Sequence, residues 1–407
     1  MRKVQGFALL VALSIPFAAS CGKTESTFPS GILVALAQFE VGPDGRVLPK
    51  PRAARLDLVF RENGVWRVET LEDPDSNVFH KAMDYAPGAG REPGILTLGG
   101  TRGILKLWRK RGSGFVAETV WEKDFGGKFS RMRDAEAGDL LGDGRNCLAV
   151  ATHDQGVVAV VCPAPGRWDV VELDRRPDTF VHEIEVGDLD GDGRLEIYAT
   201  PSEPNRMDGT PQPGEVVRYD PRTPGSRAVV ARLGDRHAKE ILVADVDSDG
   251  RDELYVSVEA NDPSQQVEIR RYDAGTDPSA GVLCATIPDR LSRCMTAGDA
   301  DGDGKKEIVV SSFRSGIWLL RPPAARGGAW RVESVAKDSS GFEHASLLAD
   351  LDGDGRDEIY VASDDQGELR RYTWNGKAWS REAILSRESP KRFFTWNLAA
   401  APVERMR

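Results

Sequence analysis

The sequence predicts an all-β chain, a seven-bladed β-propeller of four-stranded blades closed by pairing of the N- and C-terminal segments. Three observations lead there. A short acidic loop recurs, with its first aspartate at 84, 139, 188, 245, 299 and 350, so the gaps are 55, 49, 57, 54 and 51 residues. Each unit of about 50 residues holds four strand-like runs separated by turns, which is the period of a propeller blade. Counting those runs leaves three at the start of the chain and one at its end, which together complete a seventh blade.

In chain order, residues 1–20 read as a secretory signal. Arg2 and Lys3 form a charged start, Phe7 to Phe17 is an apolar stretch too short to span a bilayer, and Ala18-Ala19-Ser20 are small. A small-residue run ending on Cys21 resembles the lipobox of bacterial lipoproteins. In that family the cysteine becomes the first mature residue and carries lipid; cleavage nearby with Cys21 incidental is the alternative. Residues 21–30 are expected as a tether. Gly22 after the cysteine, where an inner-membrane retention signal would show Asp, points to the outer membrane. The resulting expectation is an exported, lipid-anchored cell-envelope protein that meets the membrane through that anchor alone.

The propeller is expected over residues 31–401. Gly31 to Glu40, Ala54 to Phe60 and Val65 to Leu71 supply three strands of the shared blade, and Phe393 to Ala400 the fourth. Six complete units begin near Val78, Ser130, Phe180, His237, Leu291 and Phe342. The last of them sets the pattern. Strand one runs from Glu343 to Ala349 and strand two from Glu358 to Ser363. Strand three, Glu368 to Trp374, follows a turn at Asp365-Gln366-Gly367. Strand four, Trp379 to Leu385, follows Asn375-Gly376, a strong hairpin turn. Strand four recurs with a leading tryptophan at Trp66, Trp168 and Trp330, expected as packing between blades. Closing the ring leaves no open sheet edge around it.

Within the loop, carboxylates stand at positions 1, 3, 5 and 9 in four copies: Asp188, Asp190, Asp192, Glu196; Asp245, Asp247, Asp249, Glu253; Asp299, Asp301, Asp303, Glu307; Asp350, Asp352, Asp354, Glu358. Gly193, Gly250, Gly304 and Gly355 at position 6 allow the sharp turn that converges them, and position 7 (Arg194, Arg251, Lys305, Arg356) offers a backbone carbonyl. Six to eight hard oxygen donors in flexible geometry suit Ca²⁺, whereas Mg²⁺ holds to a stricter octahedron. Carboxylates this close repel one another without a cation. About four calcium sites are therefore expected. An EF-hand is excluded: its acid falls at position 12 and helices flank it, whereas Ile-Tyr-Val and similar strand residues follow here. The copy at Asp139 keeps Asp143 and Gly144 but has Leu141 and Cys147 at positions 3 and 9, so weak or no binding is expected. A remoter copy is read at Asp84, with Gly88, Ala89 and Glu92 at the matching offsets, and is expected to be metal-free.

Asp-x-Asp-x-Asp-Gly-x-x-Glu before a strand, repeated at this period, resembles the FG-GAP/VCBS repeats of integrin-α-like propellers. The resemblance implies calcium in the loop between strands one and two, on one face. It implies ligands on the opposite face, built from the strand two–three loops and the segments leading into strand one. It implies no particular activity.

Six residues before the first loop aspartate stand Arg133, His182, Lys239, Arg293 and His344. These five form a candidate ligand face at the mouth of the central channel, away from the acidic loops, with Asp134, Glu183, Glu240 and Glu343 beside them. An anion or polar-ligand site and a set of ion pairs that closes the channel are the two readings. The insertion Pro201 to Gly214 and the shorter Asn261 to Gln266 are expected on the same face, where long loops make recognition elements.

Net charge is −10; without Arg2 and Lys3 it is −12, and four Ca²⁺ would bring it to −4, which argues against a nucleic-acid surface. Four cysteines follow Cys21. Cys147 and Cys162 flank a hairpin turned at Asp154-Gln155-Gly156, where a disulfide is possible, while Cys284 and Cys294 fall in different units. With no nucleophile elbow, zinc motif or phosphate loop, the expected function is a non-catalytic, calcium-stabilised scaffold binding a protein or glycan. The alternative is a propeller enzyme, such as a polysaccharide lyase or quinoprotein-like dehydrogenase, with Arg, Lys or His acting at the channel mouth.

Overall fold

A computed structural model describes residues 28–407 apart from 89, 128, 129, 202, 207 and 389. The signal and Cys21 lie outside the described residues. Seven antiparallel sheets form the ring. Blades 1 to 6 span 79–122, 132–175, 181–234, 238–287, 292–336 and 346–386, and in each the four strands run in chain order from the inner strand to the outer one. Blade 7 is composite. Its inner strand, Phe393–Pro402, pairs with Ser30–Val41, followed outward by Ala54–Glu62 and Val65–Asp73. Each inner strand lies against the next, and Phe393–Pro402 lies against Phe79–Tyr85, which closes the circle. Among the described residues no helix is long and apolar enough to cross a membrane.

The burial pattern explains the blades. Second strands such as Glu196–Pro201 and Glu358–Ser363 are buried on both faces because sheets pack on either side, whereas fourth strands alternate between exposed and covered. The predicted tryptophans sit between blades. Trp330 of blade 5 meets Tyr255 of blade 4 edge-on at 5.9 Å, and Trp168 of blade 2 lies 6.3 Å from Tyr85 of blade 1. Trp66 of blade 7 donates to Glu382 of blade 6 at 2.9 Å.

Several boundaries differ from expectation. Strand one of blade 6 is only Ser346–Ala349, because His344 before it takes a left-handed φ of 49° that breaks the ladder. An unforeseen strand, Val47–Pro51, hydrogen-bonds to the end of Ser30–Val41. The propeller also reaches further than 31–401. Phe28, expected in the tether, is 1% exposed among Tyr360, Leu351 and Trp66, and the last turn buries Val403 and Met406.

Candidate functional site: the acidic loops and the channel mouth

Each complete loop is built around its first aspartate. Asp188 Oδ1 accepts the N–H groups of Gly191 and Asp192, and Oδ2 accepts that of Gly193 at 2.7 Å. Asp299 and Asp350 repeat this arrangement, and Asp245 accepts from Asp249 and Gly250. The turn needs left-handed backbone at position 6, where Gly355 has φ 90°. The outcome is convergence. In all four loops the aspartates at positions 1, 3 and 5 bring one oxygen each within 4.8 Å of the others, and Glu253 joins its set. Asp247 Oδ1 is buried without a hydrogen-bond partner among the described residues, an oxygen a cation would satisfy. These hard, anionic oxygen donors fit Ca²⁺.

Glu196, Glu307 and Glu358 do not join the converging sets as Glu253 does. Arginines from strand three hold two of them. Arg371 bridges Asp352 and Glu358 at 2.6 and 2.7 Å, and Arg321 bridges Asp301 and Glu307 at 2.6 and 2.8 Å. Arg271 does the same for Asp247 and Glu253 at 2.9 and 3.2 Å. Burial pushes the Glu253 and Glu307 carboxyls up to about 7 despite these arginines, and Glu196 up to about 6. The bridging arginines link positions 3 and 9 of one loop, a role the sequence pattern did not announce.

Position 8 links neighbouring loops. Asp252 Oδ2 accepts the Asp188 N–H at 2.8 Å, Lys306 Nζ donates to the Asp245 carbonyl at 3.0 Å, and Asp357 Oδ2 accepts the Asp299 N–H at 2.8 Å. Between blades 3 and 2 the equivalent residue is Leu195, which packs close to Gly138 instead.

The degraded loop keeps its shape, since Asp139 still accepts from Asp143 and Gly144. Its second carboxylate, Asp143, is held by Arg145 at 2.6 Å. Cys147 and Cys162 are disulfide-bonded. Register shows that they occupy the same cross-strand positions as Glu307 and Arg321, so a covalent bond stands where another blade has an ion pair. Cys284 and Cys294 are free thiols.

The Asp84 reading is corrected. Asp84 lies inside the inner strand and pairs with Arg405 at 3.1 Å, and Glu92 pairs with Arg111. Tyr85 faces Gly94 as Gly187 faces Glu196, so position 1 is Ala86 and position 9 is Gly94. No carboxylate stands at either. The same shift of two places His80, not Val78, at the start of the blade 1 inner strand.

At the channel mouth, Arg133, His182, Lys239 and Arg293 come together and His344 does not. His182 Nδ1 donates to the Lys239 carbonyl at 3.1 Å, leaving Nε2 to accept from Arg133 at 2.8 Å. Glu343 pairs with Arg293 at 3.1 Å and lies 3.8 Å from Arg133. Lys239 reaches Glu203 of the long insertion at 2.6 Å, and His237 donates to the Gln212 carbonyl, so that insertion folds onto this mouth as expected. Burial, then Arg133, holds the His182 imidazole well below its usual range, so it is neutral. His344 is enclosed between Ser312 and Ser339, because its left-handed backbone turns the ring away from the channel. His80 takes its place in the set, donating to the Met132 carbonyl and standing edge-on to Trp396. Below the mouth, Lys81 pairs with Asp134 and Glu136.

Around this mouth runs a crescent of rings missed by the sequence reading. Phe39, Phe394, Phe342 and Phe313 follow one another edge-to-face at 5.7, 6.2 and 6.3 Å. Phe342 and Phe394 are 42% and 37% exposed. Arg293 covers one face of Phe342, and Arg314 lies over Phe313. The four residues come from three blades at unrelated offsets, so no linear motif marks them.

Residues 245–310 match the family model described as FG-GAP-like repeat. No curated protein matches the sequence. Among solved structures the chain is similar to a lectin of Agrocybe aegerita recognising non-reducing terminal N-acetylglucosamine, at 13% identity and TM-score 0.53 over 93% of this chain and 96% of that one. It is also similar to the periplasmic gluconolactonase of Pseudomonas aeruginosa, at 15% identity and TM-score 0.51 over 88% and 95%. A protein from Lactobacillus plantarum is similar at 10% identity and TM-score 0.56 over 91% and 99%. At such identities these likenesses speak for the fold alone. The chain is thus a seven-bladed β-propeller in which residues 245–310 match an FG-GAP-like repeat and the same acidic loop recurs in the neighbouring blades.

Proposed function

We propose that this protein is a calcium-stabilised binding scaffold of the cell envelope, non-catalytic, that presents the face opposite its acidic loops to a glycan or protein. The observation that carries this reading is the exposed aromatic crescent beside Arg293 and Arg314. Aromatic faces with adjacent guanidinium groups suit sugar rings and polar chains. The basic groups at the channel mouth support presentation over proton transfer, since Arg293 and Lys239 are engaged by Glu343 and Glu203. In this reading Ca²⁺ is held by Asp188, Asp190 and Asp192; Asp245, Asp247, Asp249 and Glu253; Asp299, Asp301 and Asp303; and Asp350, Asp352 and Asp354. Its two positive charges offset part of the negative charge of each acidic loop. Cys21 carries the lipid and places the propeller at the outer membrane.

A glycan array and a pull-down with residues 22–407 test this directly. A ligand retained by the native chain and lost on Phe342→Ala with Phe394→Ala is expected. Turnover of an acidic polysaccharide, abolished by Arg133→Ala or His182→Ala, would favour the enzyme instead. Cys21→Ala should release the protein from the membrane fraction or leave it uncleaved.

A further inference from the structure

Strand register aligns one position across the fourth strands, two residues before the partner of the strand-three residue that faces loop position 10. In blades 1, 2, 5 and 6 it is aromatic: Phe115, Trp168, Trp330 and Trp379. Trp66 plays the same part in blade 7, against Phe28. In blade 3 the position falls on Gly225 and in blade 4 on Ser279. The ring that would cover Tyr198 of blade 3, as Trp330 covers Tyr255, is therefore missing. A cavity of about 310 Å³ lies there, lined by Tyr198, Arg218, Val230 and Leu254 and, with the opposite charge, by Asp190 and Asp273; Asp273 is already paired with Arg271. The blade 4 segment around Pro278 reaches across to blade 3, its carbonyl accepting the Arg232 N–H at 2.7 Å, so the space is bridged rather than collapsed.

A second difference coincides with the first. Arg218 faces Tyr198 across the strands as Arg271 faces Tyr255 and Arg371 faces Tyr360. Arg271 and Arg371 are each bound to two loop carboxylates. Among the described residues the Arg218 side chain makes no hydrogen bond and no ion pair within 4 Å, although its charge acts on Glu196 and Tyr198; the arginine paired to Glu196 is Arg222, at 4.0 Å. The space that holds an indole elsewhere thus lies beside a guanidinium whose hydrogen-bond donors are not taken by a carboxylate, as those of Arg271 and Arg371 are.

We propose that the cleft between blades 3 and 4 is a binding site for a small flat aromatic molecule bearing a carboxylate. The ring occupies the place of the missing indole, between Tyr198 and the Val230–Leu254 wall, and the carboxylate pairs with Arg218, whose planar fork suits it. This site is on the rim between blades and does not depend on the channel-mouth reading.

The test is calorimetric titration of the calcium-loaded full chain with indole-3-carboxylate, its methyl ester and D-glucuronate. One saturable site for the acid is expected, with the ester weaker by about tenfold or more, as loss of a charge-assisted pair implies. Arg218→Met should weaken the acid to the level of the ester. Ser279→Trp, which refills the space, should abolish binding and raise the melting temperature. No saturable binding of the acid would overturn the site. So would acid affinity unchanged in both variants, or preference for glucuronate over the aromatic acid.

Discussion

Asp357 Oδ2 accepts the backbone N–H of Asp299 at 2.8 Å, across the boundary between blades 6 and 5. Asp357 belongs to one acidic loop, and Asp299 opens the loop of the blade before it. The bond fixes the residue on which the whole Asp299 loop is capped, so the geometry of one loop is supported by the next. Asp357→Ala should weaken calcium at the Asp299 site although residue 357 is not a donor there. Titration calorimetry should show one site of about four weakened, by about tenfold for a lost buried hydrogen bond to a charged group, with the Asp188 site unchanged.

Removing a donor from a complete loop should cost stability mainly when calcium is present. A site saturated a hundredfold above its dissociation constant contributes about 2.7 kcal/mol. Asp352→Ala should therefore lower the melting temperature by roughly 3 °C in millimolar calcium. The loss should be smaller in chelator, where Arg371 keeps Glu358. Asp143→Ala, which gives up only its pair with Arg145, should be mild in both. Equal melting of the native chain with and without chelator would remove the metal assignment.

The effect of pH should have opposite signs in the two forms. In the metal-free protein burial raises the Glu253 and Glu307 carboxyls to about 7 and Glu196 to about 6, above the unfolded range near 4.3. Between those values the folded chain binds more protons than the unfolded one, so stability without metal rises as pH falls from 7 towards 5. At Glu253, which joins its converging set, the proton also competes with the cation, and protons on Glu196 and Glu307 weaken the negative field of their loops, so the stabilisation by calcium shrinks over that range. Thermal melts at pH 7.5 and 5.5, with calcium and with chelator, should show the two curves approaching each other. A gap that stays constant would contradict this.

Reducing the Cys147–Cys162 bond, which spans 15 residues, should cost about 3 kcal/mol by loop-closure entropy. The double variant Cys147→Ser with Cys162→Ser should melt lower under oxidising conditions and be insensitive to reductant. Alkylation of the folded native chain should leave Cys284 largely unmodified, since burial raises its thiol to about 12.

The blade count, the composite closure and the three-aspartate sets were legible because each rests on local chemistry repeated at a fixed period. Glu358–Ser363 and Glu368–Trp374 match their predicted bounds for that reason. The Asp84 reading failed because an isolated aspartate in an inner strand mimics a loop start when only spacing is used; the ladder register, invisible in the sequence, moves position 1 to Ala86. His344 stands at the same offset as His182, but a left-handed residue turns it away. The aromatic crescent joins residues from three blades, so only closure of the ring brings it together; the arginine bridges stay within one blade, but they depend on the register that sets strand three beside the acidic loop, which spacing alone does not give.

The same cross-strand position carries an ion pair at Glu307–Arg321 and a sulfur–sulfur bond at Cys147–Cys162. The fold therefore fastens one position by two means with different requirements. The ion pair forms as soon as the strands meet, whereas the sulfur–sulfur bond also needs an oxidant. In reducing surroundings blade 5 keeps its fastener and blade 2 holds two thiols in its place, so the ring is tightened unevenly until it is oxidised.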